Sequence, residues 1–182
     1  MGALKTAPQQ GKLFFGLIAT SEEMLEVARK RLALDFSAIE TQSPIIPFDQ
    51  SNYYEAEMGS GLLRQWISTE RPIFLGELPD FKRFTNKLED THGAGGKRTV
   101  NIDPGYVNLS KVVLATTKDY EHRIFLGGGI FAEVTLHYRR PEGFVGWPWT
   151  YPDHLPPAAL SFFGEVREKF HAYLNQGLSR EA

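Results

Sequence analysis

The sequence predicts an α+β fold built on a mostly antiparallel sheet. Three observations carry this: an apolar strand near the start that leads straight into a capped amphipathic helix, a second helix followed by another strand, and a glycine-rich hairpin whose second arm alternates. The order strand, helix, strand, strand, helix, strand is that of a ferredoxin-like start. Here it is extended by a hairpin and closed by a last helix, so about three helices are expected.

Residues 1–12 lack apolar periodicity and carry Pro8, Gln9, Gln10 and Gly11, which marks a mobile tail. Leu13 to Ala19 is a continuous apolar run suited to a buried strand, and Thr20 with Glu23 makes a capping-box signal. A helix follows from Ser21 to about Leu34, with Leu25, Ala28 and Leu32 turned inward. Ile39 to Phe48 is extended, but Pro44 and Pro47 cannot donate to a ladder, so it is an edge strand or an irregular crossing. Asn52 to Gly61 has no clear period, and Leu62 to Glu70 is a strand around Trp66 and Ile67. Pro79 suits the first turn of a second helix with face Phe81, Phe84 and Leu88, ended by His92 and Gly93.

Arg98 to Ile102 is a short strand, and Asp103-Pro104-Gly105-Tyr106 has the residue order of a type II turn that reverses the chain. Val112 to Thr117 is most simply a strand, with a helical turn through Leu109 to Val113 as the other reading. His122 to Leu126 and Ile130 to Arg139 flank Gly127-Gly128-Gly129, a hairpin signal. In the second arm Ile130, Ala132, Val134, Leu136 and Tyr138 face one way, and Phe131, Glu133, Thr135, His137 and Arg139 the other. After a strap rich in proline and aromatics, Phe144 to Pro157, a last helix carries Leu160, Phe163, Val166, Phe170 and Leu174. The pattern defines one domain over 13–175, with a C-terminal tail at 176–182.

The chain has 182 residues and no cysteine. A domain of this length buries roughly 70% of its unfolded surface, enough for a core without covalent braces. The missing thiols exclude disulfides, thiolate nucleophiles and cysteine-ligated metals, and they suit a reducing compartment, so the cytoplasm is expected. The 20 basic and 22 acidic side chains nearly cancel, which argues against binding duplex nucleic acid by bulk charge. No apolar run is long enough to span a bilayer as a helix, so no membrane partner is expected.

The densest polar cluster lies between Arg98 and Arg123. Arg98, Lys111, Lys118 and Arg123 are candidate contacts for a phosphate or carboxylate, with Asn101 and Thr116 as neutral ligand-binding side chains beside them. Asp103 or Glu133 would hold a metal such as Mg2+ or act as a base, and His122 would assist proton transfer. A solvated sheet end explains the same residues. Gly93 to Thr99 is glycine-rich and carries Lys97, but it fails as a phosphate loop: Thr91 stands where the first glycine belongs and Arg98 follows the lysine. Glu133, Thr135 and His137 share one strand face, and Asp49, Glu55, Glu57 and Glu70 supply further carboxylates from which a magnesium or zinc site could be assembled, but the sequence has no His-Glu-x-x-His, paired-histidine or calcium-loop spacing. Trp147, Trp149 and Tyr151 would stack on nucleobases, line a ligand pocket, or form a strap that plugs the side of the core, and Tyr53 and Tyr54 invite the same readings.

Several segments carry a family resemblance: Lys12-Leu13-Phe14-Phe15-Gly16-Leu17, Phe48-Asp49 through Tyr54-Glu55-Ala56-Glu57-Met58-Gly59, Asn101 to Tyr106, Leu114 to Asp119, and Gly129 to Leu136. Together they resemble a small bacterial family of unknown function whose members often bear the label "GTP-binding protein". The likeness runs from Lys12 to about Phe170, and the shared segments include Asp49, Tyr54, Glu57, Asn101, Asp103, Thr116, Lys118 and Glu133. The label implies a guanine nucleotide, yet the chain has neither the phosphate loop of ordinary GTPases nor an Asn-Lys-x-Asp motif. Three functions are therefore in view: binding a nucleotide or other phosphorylated metabolite, binding RNA through a basic-rimmed sheet face, and serving as a protein-interaction scaffold.

Overall fold

The unbroken apolar run near the start forms β1 (Gln10–Ala19), buried along almost its whole length, as a strand covered on both faces must be. The computed structural model describes residues 9–91 and 98–178. The tails expected at 1–12 and 176–182 lie in part outside these residues, with β1 taking up from Gln10, and most of the glycine-rich connector at Gly93 lies outside them too.

Eight further strands follow: β2 (Ile39–Gln42), β3 (Ile46–Pro47), β4 (Leu63–Phe74), β5 (Val100–Val107), β6 (Lys111–Thr116), β7 (Ile124–Gly127), β8 (Ile130–Arg139) and β9 (Gly143–Gly146). The helices are α1 (Glu22–Asp35), the one-turn α2 (Glu55–Met58), α3 (Leu78–Thr91) and α4 (Pro157–Leu178). Among the described residues the sheet is antiparallel throughout, in the order β2-β4-β1-β5-β6-β8-β7, with β3 joined to β4 and β9 to β8. The segment β2-β4-β1-β5 is the ferredoxin-like order that the sequence predicts, and the hairpin side extends it. No helix among the described residues is long and apolar enough to cross a membrane.

Alternation along β1 divides the core. Leu13, Phe15, Leu17 and Ala19 pack with Leu25, Ala28 and Leu32 of α1 and Leu88 of α3. Phe14 points the other way, to Trp66 of β4 and to Phe162, Phe163 and Val166 of α4. The α1 cap falls one residue later than the Thr20 signal: the Ser21 side chain accepts from the Met24 N–H at 3.2 Å.

Two expectations are corrected. Asp103 to Tyr106 is not a turn. β5 runs straight through it, with Pro104 opposite Phe15 and Gly105 opposite Phe14. Gly105 has no positive φ. It is glycine for lack of room, since a Cβ there would lie 2.4 Å from the Phe14 ring and from the Val113 carbonyl.

The second correction concerns β8. Val112 faces Leu136 while Val113 faces Val134, so Thr135 is an extra residue in the ladder. This bulge switches the strand's phase: Ile130, Ala132 and Val134 pack toward Leu78 of α3, whereas Leu136 and Tyr138 join Phe14 and Phe163 on the opposite face. The Gly127–Gly129 hairpin forms as expected, all three glycines at positive φ.

Candidate functional site

β5 and β6 are bonded only where Gly105, Tyr106 and Val107 meet Leu114, Val113 and Val112. Beyond Gly105 the ladder ends, and the next side chains, Asp103 and Asn101 on β5 and Thr116 on β6, line a cavity of about 480 Å³. Small-ligand sites commonly span roughly 300–1,000 Å³. β4 contributes Arg64, α3 contributes Lys82 and Glu89, and the loops at 48–54, 117–123 and 151–154 close the sides.

Five cations line the cavity, namely Arg64, Lys82, Arg98, Lys118 and Arg123, against the three carboxylates Glu89, Asp103 and Asp153. Behind the lining Glu57 pairs with Arg98 and Glu133 with Arg123, which leaves Lys118 as the lining cation without a carboxylate partner among the described residues. Lys82 Nζ donates to Asp103 Oδ1 at 2.8 Å and to the Ile102 carbonyl at 3.2 Å, and Asn101 Nδ2 donates to the other Asp103 oxygen at 2.7 Å. Burial alone would raise the Asp103 pKa, but the Lys82 charge and hydrogen bond outweigh it and hold the carboxyl below its ordinary value.

Glu89 behaves oppositely. It accepts the Ile102 N–H at 2.7 Å and a bond from Arg98, yet burial pushes its pKa up despite the opposing Lys82 charge.

Arg64 is the residue that the local pattern hides. Its side chain is 3% exposed, its guanidinium carbon lies 4.5 Å from the Trp66 ring centroid, and Nη2 donates to Asp153 Oδ2 at 3.0 Å. Its Nε and Nη1 are buried and meet no acceptor among the described residues. Buried donors left unmet by protein are rare in folded chains. Gly16 leaves the space, since a Cβ there would sit 3.0 Å from Arg64 Nη2.

Asp153 is shared with His154, whose Nδ1 lies 2.9 Å from Oδ1, and His154 Nε2 is a further buried nitrogen with no partner among the described residues. Burial would raise the Asp153 pKa, but His154 and Arg64 hold it well below the usual carboxylate range.

Other cavity cations are held by aromatic faces. Lys118 Nζ lies 3.7 Å from the Tyr53 centroid, Arg123 4.7 Å from Tyr120 and Arg98 5.7 Å from Tyr54. A π-face steadies a cation without neutralising it.

Of the residues singled out from sequence, Arg98, Asn101, Asp103, Thr116, Lys118 and Arg123 come together in this lining. Glu133 and His122 stand behind it. The Glu133 side chain is fully buried and accepts from Arg123 Nε at 2.8 Å, with His122 Nε2 at 3.1 Å from the same oxygen, so it aims the arginine from the rear. Lys111 is set apart: it opens β6 opposite His137, at the end of the strand away from Thr116. Among the described residues no group of three or more His, Asp or Glu side chains is placed to hold a metal ion.

A family model described as "Domain of unknown function (DUF4416)" matches residues 9–170. The chain belongs to that family. No curated protein and no solved structure matches it. The family description names no chemistry, so for this DUF4416 member the function rests on the site itself.

The sequence reading missed Arg64, Lys82, Glu89, Asp153 and His154. One signal was present: Lys82, Asn86 and Glu89 recur at helical spacing as a polar stripe beside the apolar face of α3. Arg64 beside Trp66 in an otherwise apolar run is a weaker one, and nothing local marks Asp153.

Proposed function

We propose that this protein binds a phosphorylated small molecule in the cavity between the ends of β5 and β6. The observation that carries the reading is Arg64: a guanidinium buried in the cavity wall, with two nitrogens that meet no acceptor among the described residues. An arginine with free donors suits the oxygens of a phosphate group. Arg98, Lys118 and Arg123 are the other anion contacts, and Asn101 and Thr116 add neutral hydrogen-bonding groups. Lys118 has no carboxylate partner among the described residues and sits over Tyr53. Glu89, whose pKa burial raises, is the lining carboxyl suited to hold a proton, although binding does not require it to do so.

The guanine nucleotide implied by the family resemblance is one member of this ligand class. The three cavity carboxylates are already engaged by Lys82, Arg98 and Arg64, so the reading does not call on a magnesium ion.

A thermal-shift screen against inorganic phosphate, pyrophosphate, sugar phosphates and nucleotides, with and without magnesium, tests the proposal. A ligand at a hundred times its dissociation constant adds about 2.7 kcal/mol of stability. The shift is expected with phosphorylated compounds and should vanish in Arg64→Met and weaken in Lys118→Ala. A shift that survives both substitutions would sink the assignment.

RNA binding is the second reading, favoured by an aromatic ladder beside the cavity. There Trp147 and Trp149 stack at 5.2 Å, flanked by His137 at 4.1 Å and His122 at 5.4 Å. The unmet Arg64 donors favour the cavity. Binding of single-stranded RNA that weakens steeply with salt would favour the ladder.

A further inference from the structure

The cavity arranges charge and aromatic surface in reverse of the usual order. Its floor is charged and buried: Arg64 is 2% exposed, Glu89 4% and Lys82 5%. Its rim is aromatic and open, with Tyr53 60% exposed, Tyr120 51% and Tyr151 43%. Proteins ordinarily bury their rings and leave their charges in water. A wall built the other way round complements a ligand that is anionic at one end and flat and apolar at the other.

We infer, resting on the reading that the cavity takes a phosphorylated ligand, that this ligand is a nucleoside monophosphate bound without a divalent metal. Its phosphate enters first, to the unmet Nε and Nη1 of Arg64, and its base covers the rim tyrosines. Three observations select this class. A phosphate monoester carries roughly −1.5 to −2 charge at neutral pH, for which the lining offers the unmet donors of Arg64 and the carboxylate-free Lys118. A triphosphate would add charge that normally travels with a magnesium ion, whereas each carboxylate here already holds a cation: Lys82 on Asp103, Arg98 on Glu89 and Arg64 on Asp153. Inorganic phosphate or a sugar phosphate would satisfy Arg64 and leave Tyr53 and Tyr151 uncovered.

The rings are already positioned for this. Tyr53 stands edge-on to Tyr54 at 5.0 Å and 85° while Lys118 caps it, and the Tyr151 hydroxyl accepts from Arg123 Nη2 at 3.3 Å. The rim is thus tied to the same cations that serve the phosphate. Stacking one base on such a surface is worth about ten- to a hundredfold in affinity.

The test is isothermal titration of the full chain with GMP, AMP, CMP and UMP beside ribose 5-phosphate, inorganic phosphate and GTP, first in EDTA and then in magnesium. The expected result is that at least one monophosphate binds tenfold or more tighter than ribose 5-phosphate, unchanged by EDTA. The combined Tyr53→Ala and Tyr151→Ala variant should bring that monophosphate down to the level of ribose 5-phosphate, whereas phenylalanine at both positions should retain it. Arg64→Met should abolish binding of every phosphorylated compound, with Lys118→Ala as a milder variant that removes a more accessible cation.

Equal binding of ribose 5-phosphate and the monophosphates, or tighter binding of GTP that depends on magnesium, would overturn the ligand class while leaving the phosphate reading intact. Silence from all seven compounds would overturn both.

Discussion

The strands β4, β1 and β5 build two neighbouring halves of one sheet face, and the halves are opposite in chemistry. Under α4, Phe14 and Trp66 meet Phe163 at 5.1 and 6.3 Å, in a cluster that includes Val166. One step further along the same strands stand Gly16, Arg64 and Asp103, and the surroundings are charged. What differs is the cover. An amphipathic helix brings apolar side chains to the first half and keeps it dry, whereas loops bring Tyr53, Lys118 and Asp153 to the second. The half under α4 gains stability from apolar packing, while the far half holds buried charges and unmet donors that lower stability, as a binding site commonly does.

The largest expected effect is in the dry half. Phe163→Ala should cost about 3–5 kcal/mol in urea denaturation, with ligand affinity unchanged in whatever fraction stays folded. Asp153→Ala comes next, at about 3 kcal/mol, because it leaves the Arg64 guanidinium buried with no carboxylate. Arg64→Met sharpens the contrast. Made together with Asp153→Asn, which removes the carboxylate it would otherwise strand, it replaces the buried ion pair by neutral side chains, so stability should move by no more than about 1 kcal/mol while phosphate binding is lost. If that double variant unfolds the protein as Phe163→Ala does, the charged half is structural and the comparison fails.

Acid distinguishes the halves next. The Asp103 and Asp153 carboxyls are held below their ordinary values in the folded state, so their contribution is fully present above the unfolded carboxylate value of about 4. It is lost as pH falls through the lower folded values. Glu89, raised by burial, has the opposite sign: its contribution is present below the unfolded value and is lost as pH rises through the folded one. Thermal melts from pH 7 down to pH 2 should therefore show a steep loss at the acid end. Asp153→Asn should flatten that loss, and Phe163→Leu should leave its slope alone.

The smallest effect is expected at Lys111, set apart at the other end of β6. Lys111→Ala should change stability by less than about 0.5 kcal/mol and leave phosphate binding untouched.

Much of this was legible along the chain. β1, the α1 helix and the β7–β8 hairpin follow from local period and punctuation, which need no tertiary information. The cluster from Arg98 to Arg123 was legible because β5, β6 and the loop after them are consecutive, so residues near in sequence are near in space. The bulge at Thr135 was not, because alternation predicts a face only until an extra residue shifts its phase. Gly105 misled for a related reason: proline-glycine fits a tight turn, and it equally fits a strand with no room for a side chain.

By itself the sequence determined most of the strands and helices, though not α2, β9 or the run of β5 through Gly105, and it determined that the chain has no thiol chemistry and that one polar cluster stands out from an ordinary charge balance. Tertiary structure decided where the site is. Arg64 and Asp153 lie far apart in the chain, and Lys82 of α3 reaches Asp103 of β5 only through the packing of helix on strand. Pairing register, a bulge and the end of a ladder depend on partners distant in sequence, so no local pattern encodes them.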